Sequence, residues 1–334
     1  MIVTITAPGI RRRSLLSAGL LGLLTACGST AGSSGDGRAA RTVDAPDPDA
    51  PVRARALHAS QGLAAHYDLV LTAFPALAGR LEPLRKQLDV QAAGFGGTPA
   101  AGTAGAAASA GTVAPSSAQS SAPAAAAPST AAAALLYLDA AERDTARSRT
   151  ADLLRASPAL ARQLAAAAAA SAQHSMALRG SVPAGPADPP VTTAPLPAPA
   201  LAALRAALAA EDAAVYAYGV IGAQLDGARR SRATASYQAH RDRRGALQRR
   251  IAATGAQPPA AAPAYRLPAP VTDTASAVAL AALVEDRVCA VYANAVQATA
   301  GPLRIGMAAA LRQSALDVLA WRGSGSAFPG LPHG

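Results

Sequence analysis

Two short stretches of this sequence carry the same acidic start inside apolar, alanine-rich surroundings. One reads EDAAVYAY and places Glu211 seven residues before Tyr218, and the other reads EDRVCAVY and places Glu285 seven residues before Tyr292. Seven residues are nearly two helical turns, so each glutamate shares a helix face with its tyrosine. Carboxylates on a core-facing helix face need a proton, a cation, hydrogen-bond donors or a metal ion as partner.

A histidine and an aspartate follow these two acids at similar distances. His240 lies 29 residues after Glu211, and Asp317 lies 32 residues after Glu285, and both are about the right distance for a ligand on the opposing helix. In helical di-iron proteins, two helices each give a glutamate and the other two each give Glu-x-x-His. The spacing therefore makes four residues the candidate ligands of a metal ion: Glu211, His240, Glu285 and Asp317.

The bridging carboxylates of a di-iron centre are missing from this pattern. Tyr237 stands three residues before His240, and Ser314 stands three residues before Asp317, where the pattern requires glutamates. Two irons need about four carboxylates to bridge them and balance their charge. We therefore expect no di-iron chemistry, no cofactor, and at most a single metal ion.

The same acids also have a purely structural interpretation, which we favour. Buried glutamates can pair with arginines such as Arg244 or Arg287, or accept hydrogen bonds from tyrosines. The tyrosines in reach of such a role are Tyr218, Tyr237 and Tyr292. In the N-terminal half, three further polar residues stand singly and are interpreted as satisfied side chains, not ligands: His66, Glu142 and His174.

Four helical segments must position these residues. The apolar spacing and the glycine stops predict helices over about 200–225, 228–254, 274–299 and 302–323. The second and third are joined by the long connection AQPPAAAPAYRLPAPV, and a long crossover at this place is a feature of ferritin-like bundles. We therefore predict an all-α protein with a ferritin-like four-helix bundle at 200–323 and a C-terminal tail at 324–334.

The N-terminal half repeats this plan. Helical spacing occurs on both sides of a tract of alanine, glycine, serine and proline that lacks large apolar side chains and is expected to be disordered. A second helical bundle is therefore predicted, and a single larger helical domain is the alternative. The predicted boundaries are 52–180 for the N-terminal bundle, 94–130 for its disordered interruption and 181–199 for the proline-rich linker that follows.

The first residues have the order of a bacterial lipoprotein signal peptide. Residues 1–26 contain Arg11, Arg12 and Arg13, then an apolar run too short to span a bilayer, and the motif LTAC ends at Cys27. RRRSLL also resembles a twin-arginine export signal, with an ordinary secretory signal as the alternative.

This signal predicts the location of the mature chain. Diacylglycerol on Cys27 would supply two acyl chains, which anchor durably where one does not. The chain is then extracytoplasmic and anchored to the outer face of the plasma membrane, with residues 27–51 as a flexible tether. Because the lipid uses Cys27, Cys289 is the other cysteine and no internal disulfide forms in the mature chain.

The net charge of +10 does not indicate a nucleic-acid partner. The arginines cluster in GARRSRATASYQAHRDRRGALQRR, residues 227–250, where they surround most of a helix and have only Tyr237 as an aromatic neighbour. This distribution is typical of a solvated helix face. Contact with anionic lipid headgroups stays open.

Several C-terminal motifs, in their order, resemble the DUF4439 ferritin-like domain of actinobacterial lipoproteins over about residues 200–331. They are AEDAAVYAYGVIGAQL, AHRDRRGAL, PAYRLPAPV, LAALVEDRVCAVYANAV and AWRGSGSAFPGLP. The resemblance implies a ferritin-like bundle on a secreted lipoprotein and supplies no substrate. Two classes of function follow: a non-catalytic envelope protein that binds a protein or small molecule, or a metal-binding or weak redox protein that uses Glu211, His240 and Glu285.

Overall fold

The computed structural model describes residues 46–97, 128–181, 185, 191 and 193–332. Within these ranges the regular structure is entirely helical. The predicted signal peptide with Arg11, Arg12 and Arg13, the lipid-attachment residue Cys27 and most of the predicted tether lie outside the described residues. Most of the tract predicted to be disordered and about half of the proline-rich linker lie outside them as well.

Eight α-helices occur in the described ranges, and they confirm the all-α prediction. They are α1 (Ala50–Ala73), α2 (Ala78–Gly94), α3 (Ala131–Asp152), α4 (Pro158–Arg179), α5 (Ala198–Ala223), α6 (Gly227–Ala253), α7 (Thr274–Ala298) and α8 (Gly301–Arg322). A short 3₁₀ helix, Pro75–Leu77, joins α1 to α2 at the proline that interrupts the apolar spacing. In the described part of the chain, no helix is long and apolar enough to span a bilayer.

Local signals in the sequence explain several of these helix ends. Asp273 and Ser276 form a reciprocal capping box at the start of α7, so two backbone N–H groups that lack helical partners are satisfied. The side chain of Ser157 caps α4, and a proline occupies its first turn. Gly323 ends α8 with a φ of 80°, a left-handed conformation that glycine adopts without steric cost.

The two halves of the chain pair their helices in the same order. In the N-terminal half α1 packs on α2, α3 packs on α4, and α1 packs on α3. In the C-terminal half α5 packs on α6, α7 packs on α8, and α5 packs on α7. The C-terminal bundle has the long connection of a ferritin-like fold between α6 and α7.

The two halves share a hydrophobic core. Helix α4 packs against α7 and α8, and one cluster of buried apolar residues contains side chains from both halves, including Leu164, Leu204 and Leu311. Arg304 on α8 donates to the backbone carbonyls of Leu153 and Ala156, at 2.7 and 3.0 Å. Helix α4 of the N-terminal half therefore packs directly against the C-terminal bundle.

The residues after α8 also lie against the N-terminal half. The ring of Phe328 packs edge-on against Phe95, with ring centroids 5.9 Å apart. Gln91 on α2 donates to the carbonyl of Ala327 at 3.0 Å, and the backbone N–H of Ser326 donates to Gln173 on α4 at 3.2 Å. The segment predicted as a tail therefore runs back over α2 and α4.

Candidate functional site

The centre of the C-terminal bundle is a histidine held between two glutamates. His240 of α6 contacts Glu211 of α5 through Nδ1, at 2.7 Å from Oε2, and Glu285 of α7 through Nε2, at 2.9 Å from Oε1. None of the three side chains is exposed to solvent. The structure thus brings together three of the four residues that the sequence offers as metal ligands.

Each glutamate accepts a hydrogen bond from the tyrosine of the other helix. Tyr218 of α5 donates to Glu285 at 2.6 Å, and Tyr292 of α7 donates to Glu211 at 2.6 Å. The seven-residue step puts each acid and tyrosine on one face, as the sequence predicts, but the bonds cross between helices. This crossing follows when α5 and α7 run antiparallel, because the acid of one helix then lies opposite the tyrosine of the other.

The arginine at this site is Arg243 and not Arg244, which corrects the sequence-based prediction. Arg243 Nε lies 2.9 Å from Glu211 Oε1, and its Nη2 lies 2.8 Å from Nδ1 of His240. Arg244 is turned toward Asp212, with 3.8 Å between Nη1 and Oδ1. The signal for Arg243 was its position three residues after His240, which places both on one helix face.

These contacts favour the charged forms of the site. Burial alone lowers the pKa of His240, but the two carboxylates outweigh burial and raise it to about 9. Burial raises the pKa of Glu211, but its bonds to His240 and Tyr292 and the charge of Arg243 outweigh burial and lower it. At neutral pH the negative form of Glu211 and the imidazolium form of His240 are therefore favoured.

Asp317 lies at the edge of this cluster. It is half-buried on α8, and Gln313 Nε2 lies 3.4 Å from its carboxylate oxygens. Burial, with a smaller contribution from Glu285, raises the pKa of Asp317 to about 7. Among the described residues no hydrogen bond joins it to His240, so its part in a ligand set stays a prediction.

Tyr237 is the remaining residue of the sequence-based set. It is half-buried on α6, and the guanidinium of Arg241 lies 5.6 Å from the centroid of its ring. It packs against the apolar cluster around Trp321. Its ring contributes to the core beside the site.

The donor atoms of the cluster suit protons better than metal ions. Both ring nitrogens of His240 are already 2.7 to 2.9 Å from carboxylate oxygens, and a guanidinium lies against Glu211. A metal cation bound beside that guanidinium would be repelled by its positive charge. Across the described ranges, no group of three or more histidine, cysteine, aspartate and glutamate side chains has the arrangement of a metal site. The residues present do not fit a di-iron centre.

A simpler version of the cluster lies in the N-terminal bundle. Tyr67 of α1 donates to Glu142 of α3 at 2.9 Å, and His174 of α4 contacts the same carboxylate oxygen through Nδ1 at 2.6 Å. Nε2 of His174 lies 3.0 Å from Oε1 of Gln87. Glu142 and His174 therefore partner each other and do not stand singly as the sequence suggested, and Oε2 of Glu142 is buried with no hydrogen-bond partner among the described residues. His66 contacts Tyr137.

The N-terminal bundle also repeats the crossed pairs. Ser60 stands seven residues before Tyr67 on α1, and Glu142 stands seven residues before Arg149 on α3. The crossing is the same as in the C-terminal bundle: Tyr67 donates to Glu142, and Arg149 Nη2 donates to Ser60 Oγ at 2.9 Å. The shared step was the signal that sequence reasoning missed, because serine and arginine replace the second acid and tyrosine.

Comparison with known proteins identifies a family for the C-terminal part of the chain and gives no activity. The structure of a conserved hypothetical protein, rv2844, from Mycobacterium tuberculosis is 30% identical over 37% of this chain and 89% of that chain, with a TM-score of 0.36. No curated protein matches the chain. The family model for DUF4439, a domain of unknown function, matches residues 203–333, the region that holds the motifs and the Glu211, His240 and Glu285 cluster. Residues 203–333 of this chain therefore belong to the DUF4439 family.

Proposed function

We propose that this protein is an envelope lipoprotein with a binding or structural role and no catalytic one. Diacylglycerol on Cys27 anchors it to the outer face of the plasma membrane. Its C-terminal ferritin-like bundle keeps the arrangement of helices that holds two irons elsewhere, but uses the centre as a buried ionic network. Its partner is a protein or a small molecule and not a nucleic acid.

One observation carries the proposal: His240 lies where a metal ion would bridge the two acids. Each carboxylate of Glu211 and Glu285 has a histidine and a tyrosine as partners, and Glu211 has Arg243 in addition. Such a network stabilises buried charge without an ion. The glutamates needed to bridge two irons are replaced by Tyr237 and Ser314.

A mononuclear metal or weak redox site is the second candidate. The observation that favours it is Oε2 of Glu285, which is buried and has no hydrogen-bond partner among the described residues. Asp317 is a further carboxylate nearby, since Glu285 contributes to its raised pKa. A single ion would take its ligands from Glu285, His240 and Asp317.

Metal analysis of the full chain, purified from its own host and then loaded with ferrous iron, separates the candidates. We expect less than a tenth of an equivalent of bound metal and no oxygen uptake. One equivalent that is lost in Glu285→Gln, with Glu82→Gln on an exposed stretch of α2 as control, would establish the second candidate. Two irons per chain, with oxygen uptake abolished by Glu285→Ala, would overturn both.

The anchor is tested separately by metabolic labelling with a fatty acid. The native chain should incorporate the label and be processed to begin at residue 27, while Cys27→Ala should do neither because the acceptor thiol is absent. Cys289→Ala is the matched control, since Cys289 is fully buried and should leave labelling unchanged. Label retained by Cys27→Ala would contradict the proposed location.

A further inference from the structure

A groove of about 730 Å³ lies over α4, with α3 and α8 as its walls. Helices α3 and α8 each pack against α4. The floor between them consists of small side chains of α4, among them Ala165, Ala168 and Ala172, which are too short to fill the space. The volume lies within the range of about 300 to 1,000 Å³ that small-molecule sites occupy.

The charged side chains along the groove already have partners. Arg143 pairs with Asp139 at 3.0 Å. Arg147 pairs with Asp144, and Arg312 is partnered as well. A charged ligand group would lose its hydration in the groove without gaining a free counter-charge, and such a transfer is costly. The groove therefore favours an uncharged ligand.

One end of the groove is apolar. Leu153 and Leu154 of α3 and Ile305 of α8 line this end, and Leu154 keeps 57% of its surface exposed there. Arg304 of α8 holds the end together by donating to the carbonyl of Leu153. An alkyl chain in this end would cover apolar surface that is now exposed to water, which is favourable.

The other end of the groove holds a buried hydroxyl without a partner. Ser175 lines the groove and is 1% exposed, and its Oγ has no hydrogen-bond partner among the described residues. Ser175 lies about 15 Å from the apolar end, since ten helical residues separate it from Ala165. Buried hydroxyls are nearly always hydrogen-bonded, and a hydroxyl both donates and accepts. A neutral polar group of a ligand would therefore satisfy Ser175.

The apolar end lies where the chain leads toward the proposed anchor. The backbone N–H of Ser157, in the turn between α3 and α4, donates to Asp49 at 2.9 Å. Arg55 of α1 pairs with Asp152 at the end of α3, at 2.7 Å. A flexible tether of the 22 residues that follow Cys27, up to Asp49, has a root-mean-square span of about 25 Å. The proposed anchor therefore keeps the groove close to the bilayer surface.

We propose that this groove binds an uncharged single-chain lipid of the membrane, a monoacylglycerol, with its glycerol ester at Ser175 and its alkyl chain over the alanine floor toward Leu154. One apolar end and one unpartnered hydroxyl match one alkyl chain and one neutral polar group. No aromatic side chain of the described residues lines the groove, so it lacks the stacking surface that a nucleotide base would use. The inference gives a ligand class to the binding role proposed above, and it rests on that proposal for the membrane as the source of the ligand.

The test is photo-crosslinking of the full chain in phosphatidylcholine vesicles with a monoacylglycerol analogue that carries a diazirine in its alkyl chain. Mass spectrometry of the digested protein should find the label on peptides of α3, α4 and α8. Unlabelled monopalmitoylglycerol should compete. Palmitate, which has the same chain and a charged head, should compete about tenfold less well, because its carboxylate loses hydration and finds no free cation.

Two variants probe the two ends of the ligand. Ala168→Phe fills the groove and should remove the label, whereas Ala159→Phe, on an exposed position of the same helix, should not. Ser175→Ala removes one neutral hydrogen bond, so labelling by a subsaturating amount of the monoacylglycerol analogue should fall about fivefold. Labelling of Ser175→Ala by a diazirine analogue of hexadecane should stay unchanged. Circular dichroism of each variant confirms that the helices are intact, and Ser175→Ala keeps the test valid if Ala168→Phe unfolds.

Four outcomes would overturn the inference. They are no labelled peptide from these helices, equal labelling of native protein and folded Ala168→Phe, unchanged labelling of Ser175→Ala by the monoacylglycerol analogue, and competition by palmitate that equals competition by monopalmitoylglycerol. The first is also the outcome expected if another part of the chain covers the groove. Metal content and lipid attachment are measured on the same preparation, so a failed groove proposal is distinguishable from a failed proposal of a non-catalytic lipoprotein.

Discussion

At the scale of single residues, His240 decides the character of the C-terminal site. An imidazolium between Glu211 and Glu285 supplies one positive charge and two donors, and Arg243 supplies a second charge. This arrangement balances two buried carboxylates that would each be costly alone. The site therefore stabilises the fold through ionisation, and its contribution depends on pH.

We expect the free energy of unfolding to fall by about 3 kcal/mol between pH 6 and pH 10 because of this histidine. The pKa of His240 is 6.5 in an unfolded chain and about 9 in the folded one, so its stabilisation is complete below pH 6.5 and is lost as the pH rises through 9. Urea unfolding followed by circular dichroism measures the change.

A matched pair of variants isolates this contribution. His240→Gln should abolish the fall above about pH 7, and His58→Gln, an exposed histidine on α1, should keep it. Asp317 makes a separate contribution, because its pKa is raised to about 7 in the folded protein. The free energy of unfolding should therefore also decrease as the pH rises from about 4 to 7, and Asp317→Asn should remove this decrease. An unchanged fall in His240→Gln would show that the imidazolium does not hold the two glutamates.

At the scale of helices, the two bundles share one pattern of side-chain pairing. In each, the first and third helices carry two polar residues seven positions apart, and these pair crosswise: Tyr218 with Glu285 in one bundle and Tyr67 with Glu142 in the other. The second crossed pair is Tyr292 with Glu211 in one and Arg149 with Ser60 in the other. The crossed pairs tie the first helix to the third at two depths, which fixes their register.

Replacing Arg149 by alanine should therefore destabilise the protein by about 3 kcal/mol. Arg149 is buried and donates to Ser60, Ser171 and the carbonyl of Ala167, so its loss leaves a cavity and three acceptors without their donor. Arg147→Ala on the same helix, whose side chain is 77% exposed, should change stability by less than about 0.5 kcal/mol. Chemical unfolding of both variants measures the difference, and equal effects would exclude a register role for Arg149.

At the scale of the whole molecule, α4 joins the two bundles. It contributes to the core that contains residues of α5, α7 and α8, and Gln173 bonds the backbone of α8. Arg304 bonds the turn between α3 and α4. The halves should therefore unfold together in the full chain. Cooperative folding of residues 200–334 alone stays a prediction, and exposure of the surface that contacts α4 should lower its melting temperature.

Arg304→Met tests this coupling. It should cost about 2 to 3 kcal/mol, because the carbonyls of Leu153 and Ala156 lose a charged donor in a buried place. Hydrogen exchange measured by mass spectrometry should then speed up in α4 and α8 together. Arg266→Met, at an exposed position in the long α6–α7 connection, is the control. Faster exchange confined to α8 would show that the halves open independently.

The sequence by itself determined the helices and the depth of the central residues. Proline, glycine and capping residues such as Asp273 act within a turn or two, so helix ends follow from local backbone rules. The helical period then places Glu211, Glu285 and His240 on inward faces at one level of the bundle. The helix ends and the inward-facing residues follow from the sequence without information on how the helices pack together.

Only the tertiary structure decided which side chains pair. Arg243 and Arg244 are neighbours in sequence but point about 100° apart around α6, and the packing of that helix selects Arg243 for Glu211. Tyr218 reaches Glu285 and not the acid of its own helix because α5 and α7 are antiparallel. Pair formation depends on the rotation and direction of whole helices, which are set by the packing of their apolar faces and not by any local pattern in the sequence.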